Sequence, residues 1–158
     1  MNARLAVSCF VLTLSAAGCQ GRTPEFTPQD AVATRSIFDS VMTEVRAGNW
    51  DQWISHFAED ARFYPAHAPA LVGKPAILAW GKALPHFETF SFGPPNVAGS
   101  DDLAYGWSSV ILKAPNAPVD TGKQLVVFRR ASSRRWLVQA VAVNSDLRLP
   151  QPAPSRRR

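Results

Sequence analysis

The apolar residues of this chain change their period once, at Pro85, and that change restricts the fold more than any motif does. Upstream, Ile37, Phe38, Val41, Met42 and Val45 recur at three- and four-residue spacing, the signature of one apolar helix face. Thr27, Pro28 and Asp30 are a capping residue, a first-turn proline and a first-turn acid, so a helix is expected from Thr27 to Arg46, stopped by Gly48. Asn49 can cap a short second helix whose apolar side is Trp50, Trp53, Ile54 and Phe57. Ala61 to Pro65 reads as extended, and residues 67–72 as a Pro- and Ala-rich loop. Gly73 then turns into a third helix, with Pro75 at its start and Ile77, Trp80 and Leu84 facing inward.

Downstream the period is two. Phe90 and Phe92 alternate with Thr89, Ser91 and Gly93 until Pro94-Pro95 ends the pairing. Leu103 to Lys113 is a long strand with Tyr105, Trp107, Ser109 and Ile111 on one face and Ala104, Gly106, Ser108, Val110 and Leu112 on the other. Lys123 to Arg130 and Trp136 to Asn144 follow as strands joined by a turn at Ser132–Arg135. Helices first and a meander of strands after them predict an α+β domain, three N-terminal helices packed on one face of an antiparallel sheet.

Both ends of the chain lie outside this pattern. Arg4, the apolar run Leu5–Leu14 and the small residues Ser15, Ala16, Ala17 and Gly18 have the layout of a secretory signal, too short to span a bilayer. The segment LSAAGC resembles a bacterial lipobox, which implies cleavage before Cys19 and lipid attachment to it. Cys9 falls in the leader, so the mature chain keeps one cysteine and forms no internal disulfide. The division expected is signal peptide 1–18, tether 19–26, one domain 27–149, and a Pro/Arg-rich tail 150–158. The destination is an exported protein anchored to a membrane on the periplasmic side or at the cell envelope. The formal charge of +5 is carried mostly at the ends, by Arg4 in the leader and Arg156, Arg157 and Arg158 in the tail. A nucleic-acid reader concentrates its charge on the folded surface, so no nucleic-acid partner is expected.

Several segments in order carry a family resemblance: Gly48-Asn49-Trp50-Asp51, Phe57-Ala58-Glu59-Asp60-Ala61 and Gly73-Lys74-Pro75-Ala76-Ile77. Asp102-Leu103-Ala104-Tyr105, Asp120-Thr121-Gly122-Lys123, Trp136 and Asn144-Ser145-Asp146 follow. Together they resemble the NTF2-like superfamily, nearest its SnoaL-like and DUF4440-type branch, with ketosteroid isomerase as the enzyme relative. The resemblance implies a cone: a curved sheet wrapped on a long helix, with a mostly apolar cavity open at one end and homodimers formed through the outer sheet face. It also says where an isomerase of that kind keeps its oxyanion-hole tyrosine, its base and its second acid. Those places fall near Val41, Pro65 and Val126 here, and a further acid position of DUF4440-type chains falls at Val141. The isomerase constellation of carboxylate base, tyrosine and protonated acid is therefore not expected.

Other chemistry is sparse. His56, His67 and His86 have no short metal-ligand spacing, and there is no phosphate-binding glycine loop or nucleophile elbow, so neither metal nor cofactor is implied. By strand parity and by the resemblance, Tyr105, Trp107 and Ser109 face the cavity, as do Gln124, Val126 and Phe128, then Gln139, Val141 and Val143. Trp80 covers it from the third helix, and His67 stands near its mouth. The expected occupant is a small apolar or aromatic ligand bound without catalysis. Two alternatives stand beside this: an enzyme of isomerase or hydrolase type using Tyr105, Gln139 or His67, and a homodimeric interaction module whose rings fill the cone.

Overall fold

The computed structural model describes residues 25–148. The expected signal peptide, Cys19, most of the expected tether and the Pro/Arg-rich tail lie outside the described residues. The first helix, α1, runs Pro28–Ala47, and its start is a complete capping box. Asp30 N–H donates to Thr27 Oγ1 at 3.2 Å, and Thr27 N–H returns a bond to Asp30 Oδ2 at 2.9 Å. Gly48 ends the helix at φ 70°, a left-handed conformation that costs glycine little. Helix α2, Trp50–Ser55, is shorter than its apolar pattern suggests, and the Asn49 side chain makes no capping bond. Phe57 belongs instead to strand β1, Phe57–Tyr64, because the His56 carbonyl accepts from Val138 N–H at 2.8 Å and begins sheet pairing there. The two-residue strand β2, Leu71–Val72, and helix α3, Lys74–Lys82, follow.

Five strands complete the chain: β3, Thr89–Phe92; β4, Asn96–Ser100; β5, Leu103–Lys113; β6, Asp120–Arg130; and β7, Trp136–Val143. The sheet order is β2-β1-β7-β6-β5-β3, with β4 also on β5. Strands β3 and β4 share one edge of β5: β3 pairs with its C-terminal part and β4 with its N-terminal part. Pro94-Pro95 therefore breaks this edge without ending it, and β4 is a strand that the proline pair masks in the sequence. The sheet is mixed rather than antiparallel, since β1 runs parallel to β7. A parallel neighbour needs a long crossover, and everything from β2 to β6 supplies it.

The helices cover one face of this sheet. Ile37, Phe38 and Val45 of α1, Trp53 and Ile54 of α2 and Ile77 of α3 meet Ala104, Val126, Phe128, Val138 and Val141 of the strands in one core. Helix α1 lies close enough to β5 that a Cβ on Gly106 would stand 2.9 Å from the Phe38 ring. Only small residues fit the inner face of β5 there, and Ala104, Gly106 and Ser108 supply them.

One end of the sheet, where β6 turns into β7, is closed by charge and rings. Asp30 Oδ1 accepts from Arg130 Nη1 at 2.7 Å and from Trp136 Nε1 at 2.9 Å. Its other oxygen takes the Thr27 backbone N–H at 2.9 Å and hydroxyl at 2.7 Å. The Arg130 guanidinium lies 4.4 Å from the Trp136 ring, and Phe26 meets the same ring edge-on. Asp102 Oδ1 is 3.2 Å from Arg130 Nε, within ion-pair range but out of line for a hydrogen bond. The Arg130 hydrogen bond, ahead of the Thr27 and Trp136 bonds and against the cost of burial, holds the Asp30 carboxyl far below the usual carboxylate range. The same bond to Asp30 raises Arg130.

Candidate functional site

Between α1 and the sheet, away from this closed end, lies a cavity of about 310 Å³, space for roughly ten waters at their liquid volume. Its walls are the apolar faces described above. From α1 come Ile37, Phe38, Val41 and Val45, spaced as the helix turns. From β6 come Asp120, Gln124, Val126 and Phe128, all even-numbered positions on one side of the strand. Val138, Val141 and Val143 of β7 complete the floor. A β-bulge between Val127 and Phe128, opposite Val138 and Ala140, explains why β7 switches from even to odd positions along the cavity.

Aromatic rings form the remaining wall. Trp50 and Trp53 meet edge-to-face at 5.6 Å, Trp53 and Phe57 at 5.0 Å, and Phe63 tilts against Trp80 at 4.9 Å. Phe87, Phe90 and Phe92 continue the series on the side of β3. Three of the five tryptophans thus line the space without filling it; Trp136 closes the far end and Trp107 points outward.

Four polar side chains lie in the lining: His67, Asp120, Gln124 and Asn144. Three are at its edge, on the loop after β1 and at the ends of β6 and β7. Asp120 Oδ1 accepts from the Ser145 hydroxyl at 2.8 Å, and Asn144 Oδ1 from Lys123 N–H at 2.6 Å. Just outside them, the Lys123 ammonium, bonded at 2.6 Å, lowers the carboxyl of Asp146. Gln124 is the interior one. It is buried, and its Nε2 donates to the buried Ser108 hydroxyl at 3.0 Å, across the β5–β6 pair. Among the described residues no three His, Cys, Asp or Glu side chains gather as metal ligands, and no helix is long and apolar enough to cross a membrane.

The structure places Trp80, Gln124, Phe128 and His67 in the cavity lining, together with Val126, Val141 and Val143. Tyr105, Trp107 and Ser109 are on the opposite face, contrary to the expectation from strand parity. Tyr105 and Trp107 are 44% and 45% exposed and stack at 5.8 Å on the outer surface. The reason is register: Ala104, Gly106 and Ser108 pair directly with Phe128, Val126 and Gln124, and directly paired residues share a face. The close approach of α1 demands the small set inside, so the large rings go out. Gln139 is also misplaced. It is the extra residue of the bulge, outside the lining, and its Oε1 is buried with no hydrogen-bond partner among the described residues. A polar atom so placed costs about 1–3 kcal/mol.

Sequence reasoning passed over Asp120 and Asn144 as lining residues. It read Ile37 and Val41 as an apolar helix stripe of which part can line a pocket, and Trp53 and Phe57 as the apolar side of the second helix. Two signals bear on these. The parity of Gln124 extends to Asp120, and a helix stripe in a cavity-forming fold lines a pocket with the same residues that make its core. Val41, Pro65, Val126 and Val141, where the resemblance puts the isomerase and DUF4440-type functional groups, all stand in the lining.

A family model described as a SnoaL-like domain matches residues 38–143. No curated protein matches the chain. Solved structures share its fold at low identity. An NTF2-like protein with a cystatin-like fold from Novosphingobium aromaticivorans superposes with a TM-score of 0.67 at 15% identity, over 75% of this chain and 82% of that one. A protein of unknown function with a cystatin-like fold from Nostoc punctiforme gives 0.69 at 13% identity, over 80% and 98%. A ketosteroid isomerase-like protein from Erwinia carotovora atroseptica gives 0.64 at 14% identity, over 77% and 100%.

Proposed function

This chain belongs to the SnoaL-like domain family, and from that premise we propose that it is an exported, lipid-anchored protein that binds a small apolar or aromatic molecule in its cavity without transforming it. The observation that carries the reading is the preformed cavity of about 310 Å³ with an aromatic wall and few polar groups, the make-up of a small-molecule site. The absence of catalysis is argued from the side chains at Val41, Pro65, Val126 and Val141. They line the cavity where the resemblance implies acids and a tyrosine, and none can donate or accept a proton. Anchoring rests on the leader and Cys19; each acyl methylene buried in a bilayer contributes about 0.8 kcal/mol, so several chains hold firmly.

Native mass spectrometry of the mature domain, purified from its own host without the lipid, tests the binding reading. The expected result is a retained molecule of defined mass that leaves on denaturation; an empty cavity across several growth conditions counts against it. Cys19→Ser is expected to release the protein from the membrane fraction or leave it unprocessed. Full retention of labelled acyl chains by that variant would refute the anchoring.

A second reading is favoured by the outer sheet face. Directly paired residues put Tyr64, Ala142, Leu125 and Trp107 in one row across four strands, and Arg62, Ala140, Val127 and Tyr105 in the next. Tyr64, Leu125, Trp107 and Tyr105 are each more than 40% exposed. An exposed apolar and aromatic patch of this kind, flanked by Arg62, Lys123 and Arg129, suits a second copy of the chain, giving a homodimer that leaves both cavities free.

A further inference from the structure

We infer that Gln124 selects the ligand, and that the molecule it admits is an aromatic or alicyclic one whose leading end carries a neutral hydroxyl or N–H donor. The inference rests on the cavity-binding reading and names the chemistry of its occupant. Gln124 lies four residues along β6 from Asp120 at the edge, roughly 13 Å at strand rise, so it stands deep in an apolar space. Its amide is held on one side only, by Nε2 donating to Ser108 Oγ at 3.0 Å. Among the described residues no protein donor reaches Oε1, which leaves a carbonyl acceptor with both lone pairs to offer.

Every other side chain at this depth is a hydrocarbon or a ring: Phe38, Val110, Val126, Phe128 and Val141. A cation entering here would find no carboxylate to pair with, and an anion no cation, so a formal charge is rejected by its desolvation cost. A neutral donor is accepted, because it satisfies Oε1 while its ring system replaces water against the aromatic wall. Ser108 does not line the cavity; it is a positioning residue that keeps the amide turned so that the carbonyl is presented.

The test compares two probes of one shape, 2-naphthol and 2-methylnaphthalene, titrated into the protein at pH 7, with the ratio of their dissociation constants as the readout. Wild type is expected to favour 2-naphthol. Gln124→Met keeps the volume and removes the acceptor, and should shrink that preference about tenfold, the equivalent of one buried hydrogen bond. Ser108→Ala frees the amide to turn and should shrink it about threefold. If Gln124→Met fails to unfold cooperatively, Ser108→Ala carries the test. An unchanged ratio in the folded variant, or no preference in wild type, overturns the role of Gln124 while leaving the cavity reading intact. Failure of wild type to take up either probe overturns both.

Discussion

The two ends of the space between α1 and the sheet are built on opposite terms. At the β6–β7 turn, a carboxylate, a guanidinium and two aromatic rings satisfy one another: Asp30 accepts four bonds, and Arg130 is held from Asp30 and from Trp136. In the middle, the walls are rings and branched aliphatics around a void, and the polar side chain deep in the lining, Gln124, has no protein donor to its Oε1 among the described residues. In the first region the Asp30 carboxylate is fully engaged, and only Arg130 Nε, close to Asp102 but out of line with it, is left over; the region serves stability. The second gives up packing contacts, a cost in dispersion and cavity terms, and gains room for a guest. A charged cluster whose groups are engaged with one another is structural, whereas a neutral acceptor that faces a void is receptive.

Removing the clamp has the largest expected effect. Asp30→Ala removes the hydrogen-bonded partner of buried Arg130, leaving it only the out-of-line Asp102 carboxylate and the Asp101 carbonyl, and should cost about 3 kcal/mol in urea unfolding, with affinity for a cavity probe changed little in the protein that remains folded. A loss of affinity equal to the loss of stability would mean that the two regions are one unit. Acid reads the same cluster more gently. The folded Asp30 carboxyl titrates far below its unfolded value of 3.8, so its contribution is complete above about pH 4 and is lost as pH falls through the folded value. Stability of wild type should therefore drop on acidification below pH 4, and the drop should be shallower in Asp30→Asn. Equal slopes would show that the acid sensitivity arises elsewhere.

Filling the space sharpens the contrast from the other side. Val126→Phe places a ring in the cavity and should change stability by no more than about 1 kcal/mol, since the added bulk meets void rather than packed core. The same variant should weaken any cavity ligand at least tenfold; undiminished binding would put the ligand elsewhere. The smallest effect is expected outside both regions. Trp107→Ala should alter stability by under about 1 kcal/mol and leave probe affinity alone, while shifting sedimentation toward the monomer if the outer face joins two copies. A probe affinity that falls with Trp107 would return that residue to the site.

Trp107 also marks where the chain is legible and where it is not. The helices were readable because their signals are local: the Thr27–Asp30 box, the 3–4 spacing through Val45 and the left-handed Gly48 all act within one or two turns. The alternation of β5 was readable as well, down to the membership of its two faces. Which face turns inward was not, because that depends on the register with β6 and on how closely α1 approaches Gly106. The small residues Ala104, Gly106 and Ser108 were the available clue, since three small side chains in a row on one face invite a helix to come near.

The sequence alone therefore determined the order of the three helices and the long strands, the Thr27 cap and Gly48 stop of α1, and the aromatic supply for a wall, for these follow from interactions between residues a few positions apart. Tertiary structure alone decided that β1 lies parallel to β7, that β4 continues the edge past Pro94-Pro95, and that the rings of α2 and α3 stop short of filling the interior. Those outcomes are set by pairing and packing between segments tens of residues apart, where a shift of one position exchanges the inner and outer faces of a strand.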